Sequence, residues 1–407
     1  MTTCPPPSSS ERTSEECRLG RTPRQRRFLE IDNSPSSQRG SFKSLNQASR
    51  PTRIHFVQAT AIAEFTDPIC FDSYLRPQIW GGRGLSQHLG RTLPEHGSYG
   101  EAWEISALPP HVSRVSQGVT AGLELTELWT NWRHNLLGPE AGRLAEPTAE
   151  FPLLVKWLEC RELLSVQVHP DDSMAREVLG QPYGKSEAWI VIHAEPTARV
   201  FAGLKPGVTR TEFVAHLTAG TVVKCLHSFV PQAGDCISLP AGTVHAAGGG
   251  VVLAEVQQSS DATFRLFDWH RLGLDGKPRP LQVDQALQAI DWHQGAIQPL
   301  APHAMTSRLS GVYAERLLDS PSFVLERFTI CSRLPAPHCG ELTIWMVLDG
   351  ETELHNPDTG YRQTFSRGSS VLIPAVTQDV QWIPLPSEGT ATLLCIRLRE
   401  SAAETFP

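Results

Sequence analysis

The sequence predicts a mainly β chain: two jelly-roll-like β-barrels with a few helices, the second barrel degenerate. From about Phe65 onward, short apolar runs are separated by Gly and Pro, and few stretches carry a helical period, the pattern of a β-rich fold. A Gly-to-Pro turn pattern occurs twice, beginning at Gly234 and again at Gly368, as expected of a duplicated unit. Between Leu164 and His169 polar and apolar residues alternate strictly, which is the period of a strand with two different faces.

Composition narrows the class before any motif is used. The 407 residues are 40% hydrophobic and 19% charged, with a formal net charge of -7, and are enough for two domains of ordinary size. Gly 31 and Pro 32 are close to ordinary usage, so a collagen-like or wholly disordered chain is excluded. No apolar run approaches the ~18 residues of a membrane-spanning helix, and the first residues hold Arg, Glu and Pro where a signal peptide needs an apolar stretch. The nine cysteines are odd in number and contain no C-x-x-C pair, so reduced thiols in a cytoplasmic protein are expected, not a disulfide framework or a thiolate zinc site.

Along the chain, residues 1–60 read as a disordered basic head. The first 50 carry nine Lys+Arg against five Asp+Glu, are rich in Ser and Pro, and lack the apolar period needed to offset ordering entropy. Arg24, Arg26 and Arg27 cluster there, but the acidic body argues against nucleic acid as the partner. A catalytic metal-binding domain is assigned to 65–300 and a degenerate one to 301–407. Within the first, Glu124 to Leu137 reads as a helix, with Leu125, Leu128, Trp129 and Trp132 on one stripe. A second helix starts at Thr209, where Glu212 completes a capping-box pattern. A third candidate is Gln282 to Asp291, following Pro280.

The repeat carries the chemistry. Gly234, Pro240, Gly242 and His245 reproduce G-x5-P-x-G-x2-H, the second sequence motif of the cupin β-barrels, in which the Pro-x-Gly turn aims the His inward. The later copy keeps Gly368 and Pro374, but Val376 replaces the second Gly and Asp379 replaces the His. One copy is therefore expected to bind metal and the other not. In the strand before the first copy, Ser165, Gln167 and His169 share a face, and such a buried polar strip costs about 1–3 kcal/mol per unpartnered group unless something binds it. Lys185 and Glu187 share a face further on. Gln167, His169, Glu187 and His245 together supply two imidazole nitrogens and two oxygens, a mixed set that suits Zn²⁺ with a position left for water or substrate. Glu255 and Gln257 lie on one face of the next strand, with Asp261, Thr263 and Arg265 close behind. That density of ionisable groups marks an active site.

These residues resemble the type I mannose-6-phosphate isomerases (phosphomannose isomerases), a cupin family. The matching stretches are Phe151 to Leu158 with Leu164 to Asp172, Gly184 to Glu187, the turn from Pro240 to His245, and Glu255 to Asp268 followed by Arg271. Arg76 to Gly82 and Gly100 to Ser106 are similar too, so the resemblance covers about 65–400. Too few residues separate Glu187 from His245 for the large helical insertion of the long eukaryotic branch, so the chain resembles the short bacterial branch. The resemblance implies one Zn²⁺ per chain on Gln167, His169, Glu187 and His245, an active-site arginine at Arg265, and Ser165, Lys185, Glu255 and Asp261 in the pocket.

The reaction it implies interconverts mannose 6-phosphate and fructose 6-phosphate through a cis-enediol. Arg265 suits stabilisation of the developing negative charge. Lys185 and Glu255 are both candidates for the proton carrier, while Ser165, Asp261 and Arg271 are assigned to substrate, with Lys185 or Arg271 available for the phosphate. A sugar phosphate is the expected partner, and neither nucleic acid nor membrane is. Three rivals stand beside this reading: an iron oxygenase built on two His and one carboxylate, an isomerase of a related sugar phosphate, and a non-catalytic sugar-binding cupin.

Overall fold

The computed structural model describes residues 65–138, 150–386 and 389–399, and the expected head at 1–60 lies outside them. Among the described residues the first half holds eleven strands: β1 (Tyr74–Gly82), β2 (Tyr99–Ile105), β3 (Leu153–Cys160), β4 (Val166–Val168), β5 (Glu187–Ala194), β6 (Arg199–Leu204), β7 (Leu226–Phe229), β8 (Cys236–Leu239), β9 (His245–Gly248), β10 (Val251–Gln258) and β11 (Phe264–Phe267). They form a six-stranded sheet in the order β1-β2-β3-β10-β5-β8 and a five-stranded sheet in the order β11-β4-β9-β6-β7, antiparallel throughout.

The second half repeats the plan with β12 (His303–Met305), β13 (Val312–Asp319), β14 (Phe323–Ile330), β15 (Leu334–Pro335), β16 (Thr343–Asp349), β17 (Glu351–Asn356), β18 (Tyr361–Ser366), β19 (Ser370–Ile373), β20 (Gln381–Leu385) and β21 (Ala391–Leu398). Its six-stranded sheet runs β12-β13-β14-β21-β16-β19, the same succession as the first, and β15-β20-β17-β18 form its companion. The predicted mainly β, jelly-roll architecture therefore holds, and the ladders give two sheets in each half.

The duplication extends to register. Glu255 on β10 lies opposite Lys156 on β3, and Gln257 opposite Glu187 on β5. In the second half Cys395 lies opposite Glu326, and Arg397 opposite Thr343. Thr343 thus stands where the first half has Glu187. Both turn copies also keep their backbone bonds: Gly234 N donates to the Val191 carbonyl at 2.8 Å and Thr243 N to Pro240 at 3.1 Å, while Gly368 N donates to Val347 at 2.9 Å and Thr377 N to Pro374 at 3.0 Å.

Three apolar cores explain why the strands read as almost unbroken hydrophobic runs. Val252, Ala254 and Val256 of β10 and Leu153, Val155 and Trp157 of β3 point into a core shared with Leu325, Ile344, Leu394 and Ile396 of the second half, so the two six-stranded sheets meet back to back. Val251 and Leu253, on the opposite face, join Ala246, Val200 and Val166 inside the first sandwich. Strands buried on both faces cannot show the polar alternation of a half-exposed sheet. A third core around Trp345, Leu354 and Trp382 fills the second sandwich.

The helices are short. Residues 124–137 form two helices, α2 (Leu125–Asn131) and α3 (Arg133–Leu137), after an earlier α1 (Gly84–Leu89). Glu124 and Glu127 make a capping box that starts α2, and Trp132 leaves the helical region (φ -130°, ψ 33°), its ring meeting Phe65 edge-on. α4 (Arg210–Thr218) begins as expected, with the Thr209 hydroxyl accepting from Glu212 N at 3.2 Å, and α5 (Val283–Ala289) lies within the third expected segment. α1 and the helical segment Asp172–Met174 were not foreseen, because so few residues display no period. No helix among the described residues is long and apolar enough to cross a membrane.

Candidate metal centre and active site

The site lies between the two sheets of the first sandwich and draws on both. β4 pairs with β9 and β11 so that Gln167 stands opposite both His245 and Arg265, while β5 and β10 bring Glu187, Glu255 and, through β3, Lys156 from the facing sheet. His245 is aimed by its turn. Gly242 adopts φ +85° and its N–H donates to the His169 carbonyl at 2.9 Å, locking the turn against the strand that carries the other imidazole. A side chain at Gly242 would come within 3.1 Å of the Ala289 carbonyl oxygen and the Asp291 backbone.

His169, Glu187 and His245 are buried, and their ligand atoms all lie within 4.8 Å of one another. Each imidazole is oriented by its other nitrogen: His169 Nδ1–H donates to the Ala262 carbonyl at 2.8 Å and His245 Nδ1–H to the Thr243 carbonyl at 2.9 Å. Both Nε2 atoms consequently face Glu187, at 3.4 Å and 3.3 Å. Backbone-anchored imidazoles presenting their second nitrogen are the usual support of a metal ligand. The Gln167 amide reaches His245 Nε2 at 3.1 Å, and turning the amide over presents its oxygen there.

The electrostatics fit a cation. Burial lowers His169 well below its usual value, helped by Lys185 and His245, and lowers His245 to about 4, so both imidazoles are neutral. Burial raises the Glu187 carboxyl against the opposing pull of Lys185. Glu187 Oε1 is buried and makes no hydrogen bond, an orphaned polar oxygen 3.3 Å from His245 Nε2, while Oε2 stands 3.4 Å from His169 Nε2. Neutral imidazoles, an amide oxygen and a carboxylate that lacks a full complement of partners suit a bound divalent ion.

The pocket beside this triad, which touches it through Gln167 and Lys185, is lined by Arg76, Glu101, Lys156, Ser165, Glu255, Asp261, Arg265 and Arg279, among others. Lys185 Nζ lies 2.5 Å from Glu187 Oε2 and 3.0 Å from His169 Nε2. The Ser165 hydroxyl donates to Gln167 Oε1 at 3.2 Å. Burial pushes the Glu255 carboxyl up, but Lys156 and Lys185, with the Trp189 N–H at 2.9 Å, more than offset this and hold it down at about 2. Arg265 is pinned through its backbone, its N–H donating to Gln282 Oε1 at 3.1 Å and its carbonyl accepting from Gln282 N at 2.9 Å.

One expected substrate residue is displaced. Arg271 does not line this pocket: its guanidinium donates to Asp268 Oδ1 at 2.7 Å and to the Leu163 carbonyl, so it braces the loop. Arg279, which the sequence reading passed over, lines the pocket with its Nε and Nη2 held on the same Asp268 carboxylate. Lys156 and Glu101 were passed over as well. A signal for Lys156 existed: it is the one cation in the apolar run Leu153 to Cys160, and a lysine buried there requires carboxylate partners. Those partners are Glu255 at 3.1 Å and Glu101 at 3.6 Å. Asp261 is present at the rim, where it accepts from Arg76 at 3.0 Å.

Among the described residues the second half has no comparable site at its turn. α3 sits on it, with Ala375 N donating to the Leu136 carbonyl at 2.9 Å and Val376 N to Asn135 at 3.1 Å, and Asp379 is exposed.

The model of the type I phosphomannose isomerase catalytic domain matches residues 70–182. Mannose-6-phosphate isomerase of Streptococcus mutans is 32% identical over 317 residues, covering 78% of this chain and 95% of that protein. The chain belongs to the type I phosphomannose isomerase family. Mannose-6-phosphate isomerase ManA of Bacillus subtilis is 30% identical over 312 residues, covering 76% of this chain and 93% of that protein. The crystal structure of mannose 6-phosphate isomerase from Bacillus subtilis is similar with a TM-score of 0.72 at 28% identity, over 81% of this chain and 99% of that chain. The stretch matched as a phosphomannose isomerase catalytic domain contains Arg76, Glu101, Lys156, Gln167 and His169, whereas Glu187, His245, Arg265 and Arg279 lie beyond it in sequence and join them only in the fold.

Proposed function

We propose that this chain interconverts mannose 6-phosphate and fructose 6-phosphate, with one Zn²⁺ held by Gln167, His169, Glu187 and His245. The observation that carries the reading is the buried His169–Glu187–His245 triad, joined through Gln167 and Lys185 to a pocket lined by Arg76, Arg265 and Arg279. Bound zinc would act as a Lewis acid toward the substrate oxygens at C1 and C2.

The protein's own groups supply the remainder. Arg265 directs a permanent cation at the developing cis-enediolate, and among the described residues its buried Nε makes no hydrogen bond. Burial, and after it the closeness of Arg279, lowers its pKa, and Arg279 is the neighbouring cation left to face the 6-phosphate. For proton transfer between C2 and C1 the pocket offers two groups: Lys185, whose ammonium reaches in beside the triad, and Glu255, whose carboxylate, despite its burial, Lys156 and Lys185 hold in the ionised form a base requires. Ser165 and Asp261 line the pocket as substrate contacts. The reading is tested by a coupled assay of mannose 6-phosphate conversion before chelation, after it, and after adding back Zn²⁺. Activity that survives complete removal of metal defeats it.

A further inference from the structure

A second group of metal-binding side chains lies away from this pocket. His88 in the last turn of α1, His193 near the end of β5 and Glu195 just beyond it present ligand atoms within 4.8 Å of one another. β5 meets β10 there through a bulge: Val252 faces His193 and Leu253 faces Val191, so Ile192 is the extra residue. Bulges of this kind re-aim side chains, and here His193 and Glu195 meet α1. His193 Nε2 lies 3.3 Å from Glu195 Oε1, and the His88 and His193 rings are stacked, centroids 3.8 Å apart and planes 16° from parallel. Two donors bound tetrahedrally at ~2.1 Å stand about 3.4 Å apart, so one pair is already at chelating separation.

We infer that His88, His193 and Glu195 form a second divalent-metal site, taking a transition-metal ion of the zinc class and stapling α1 to the end of β5. Two imidazole nitrogens and one carboxylate oxygen form a donor set that favours such ions over Mg²⁺ or Ca²⁺. All three side chains are half-buried, which leaves them freedom to adjust and an outward position for water. Chelation tilts the two rings out of their stack so that their lone pairs converge. Arg367, tethered to the Ile192 carbonyl at 3.4 Å and to Asp349 at 3.6 Å, opposes a dication beside His88, and its neutralisation should tighten binding.

The test is calorimetric titration of the demetallated full chain with Zn²⁺. The native protein should take up two ions. The double variant His88→Ala/His193→Ala should take up one and keep its isomerase turnover. Glu195→Gln, which leaves both rings in place, should weaken the second ion at least tenfold, and Arg367→Gln should tighten it severalfold. Zinc uptake unchanged by the double variant and by Glu195→Gln overturns the inference. Failure of the pocket as a metal site reads differently: one ion in the native chain and none in the double variant.

Discussion

Replacing Lys156 by Met should cost ~3–5 kcal/mol of stability at neutral pH, the penalty of leaving one member of a buried ion pair without its partner. Lys156 is 3% exposed and Glu255 2%, they stand directly opposite on β3 and β10, and the ammonium is 3.1 Å from the carboxylate. Burial raises the Glu255 carboxyl, Lys156 provides the largest opposing pull, and the net result is a fall from 4.5 to about 2. That fall corresponds to roughly 3 kcal/mol in favour of the ionised folded state. Because the folded value is depressed, this contribution is complete above about pH 4.5 and disappears as pH falls through about 2. Without Lys156 the burial effect is far less opposed and the Glu255 value rises. The variant's deficit should then be largest at neutral pH, where a bare carboxylate is trapped, and shrink on acidification as the carboxyl takes up a proton. Urea unfolding at pH 7 and pH 5 measures both quantities. Adding Glu255→Gln to Lys156→Met should recover part of the loss by removing the stranded charge. A Lys156→Met deficit under ~1 kcal/mol, or one insensitive to both pH and the second substitution, would refute the pairing as a stabilising element.

Arg265→Ala should lower kcat by about 10²–10³ with KM and metal content changed much less, and Arg265→Lys should recover little, whereas a loss confined to KM would assign the residue to phosphate binding instead. His245→Ala should lose the pocket metal and Asp379→Ala should keep it, as read by metal analysis, since His245 is a buried member of the triad and Asp379 an exposed turn residue. Asp268→Asn should release Arg279 from its two-point anchor and raise KM severalfold. Asp268 also bears on acid stability: its arginine partners outweigh burial and hold it below 3.8, so its contribution is full above that value and is lost as pH falls through the lower folded one.

Much of the fold was legible because strand periodicity and turn chemistry are local. The two G-x5-P turns predicted a duplication that the matching strand order and register bear out. The alternation around Gln167 placed Ser165, Gln167 and His169 on one face, and all three meet at the site. The capping residue Thr209 announced its helix, while the 124–137 helix divides at Trp132, whose ring leaves the stripe to pack on Phe65.

The sequence by itself determined which face of the strand before the first turn is polar and which turn copy had kept its histidine. A period of two tells which face a side chain takes but not what stands across from it. The partner of Lys156, the exchange of Arg271 for Arg279 at the pocket wall, and the union of His88 with His193 and Glu195 were decided by how distant strands and loops pack. The closure of the second turn by α3 belongs with them, because its bonds join residues far apart in the chain whose meeting depends on the two six-stranded sheets burying their apolar backs against each other.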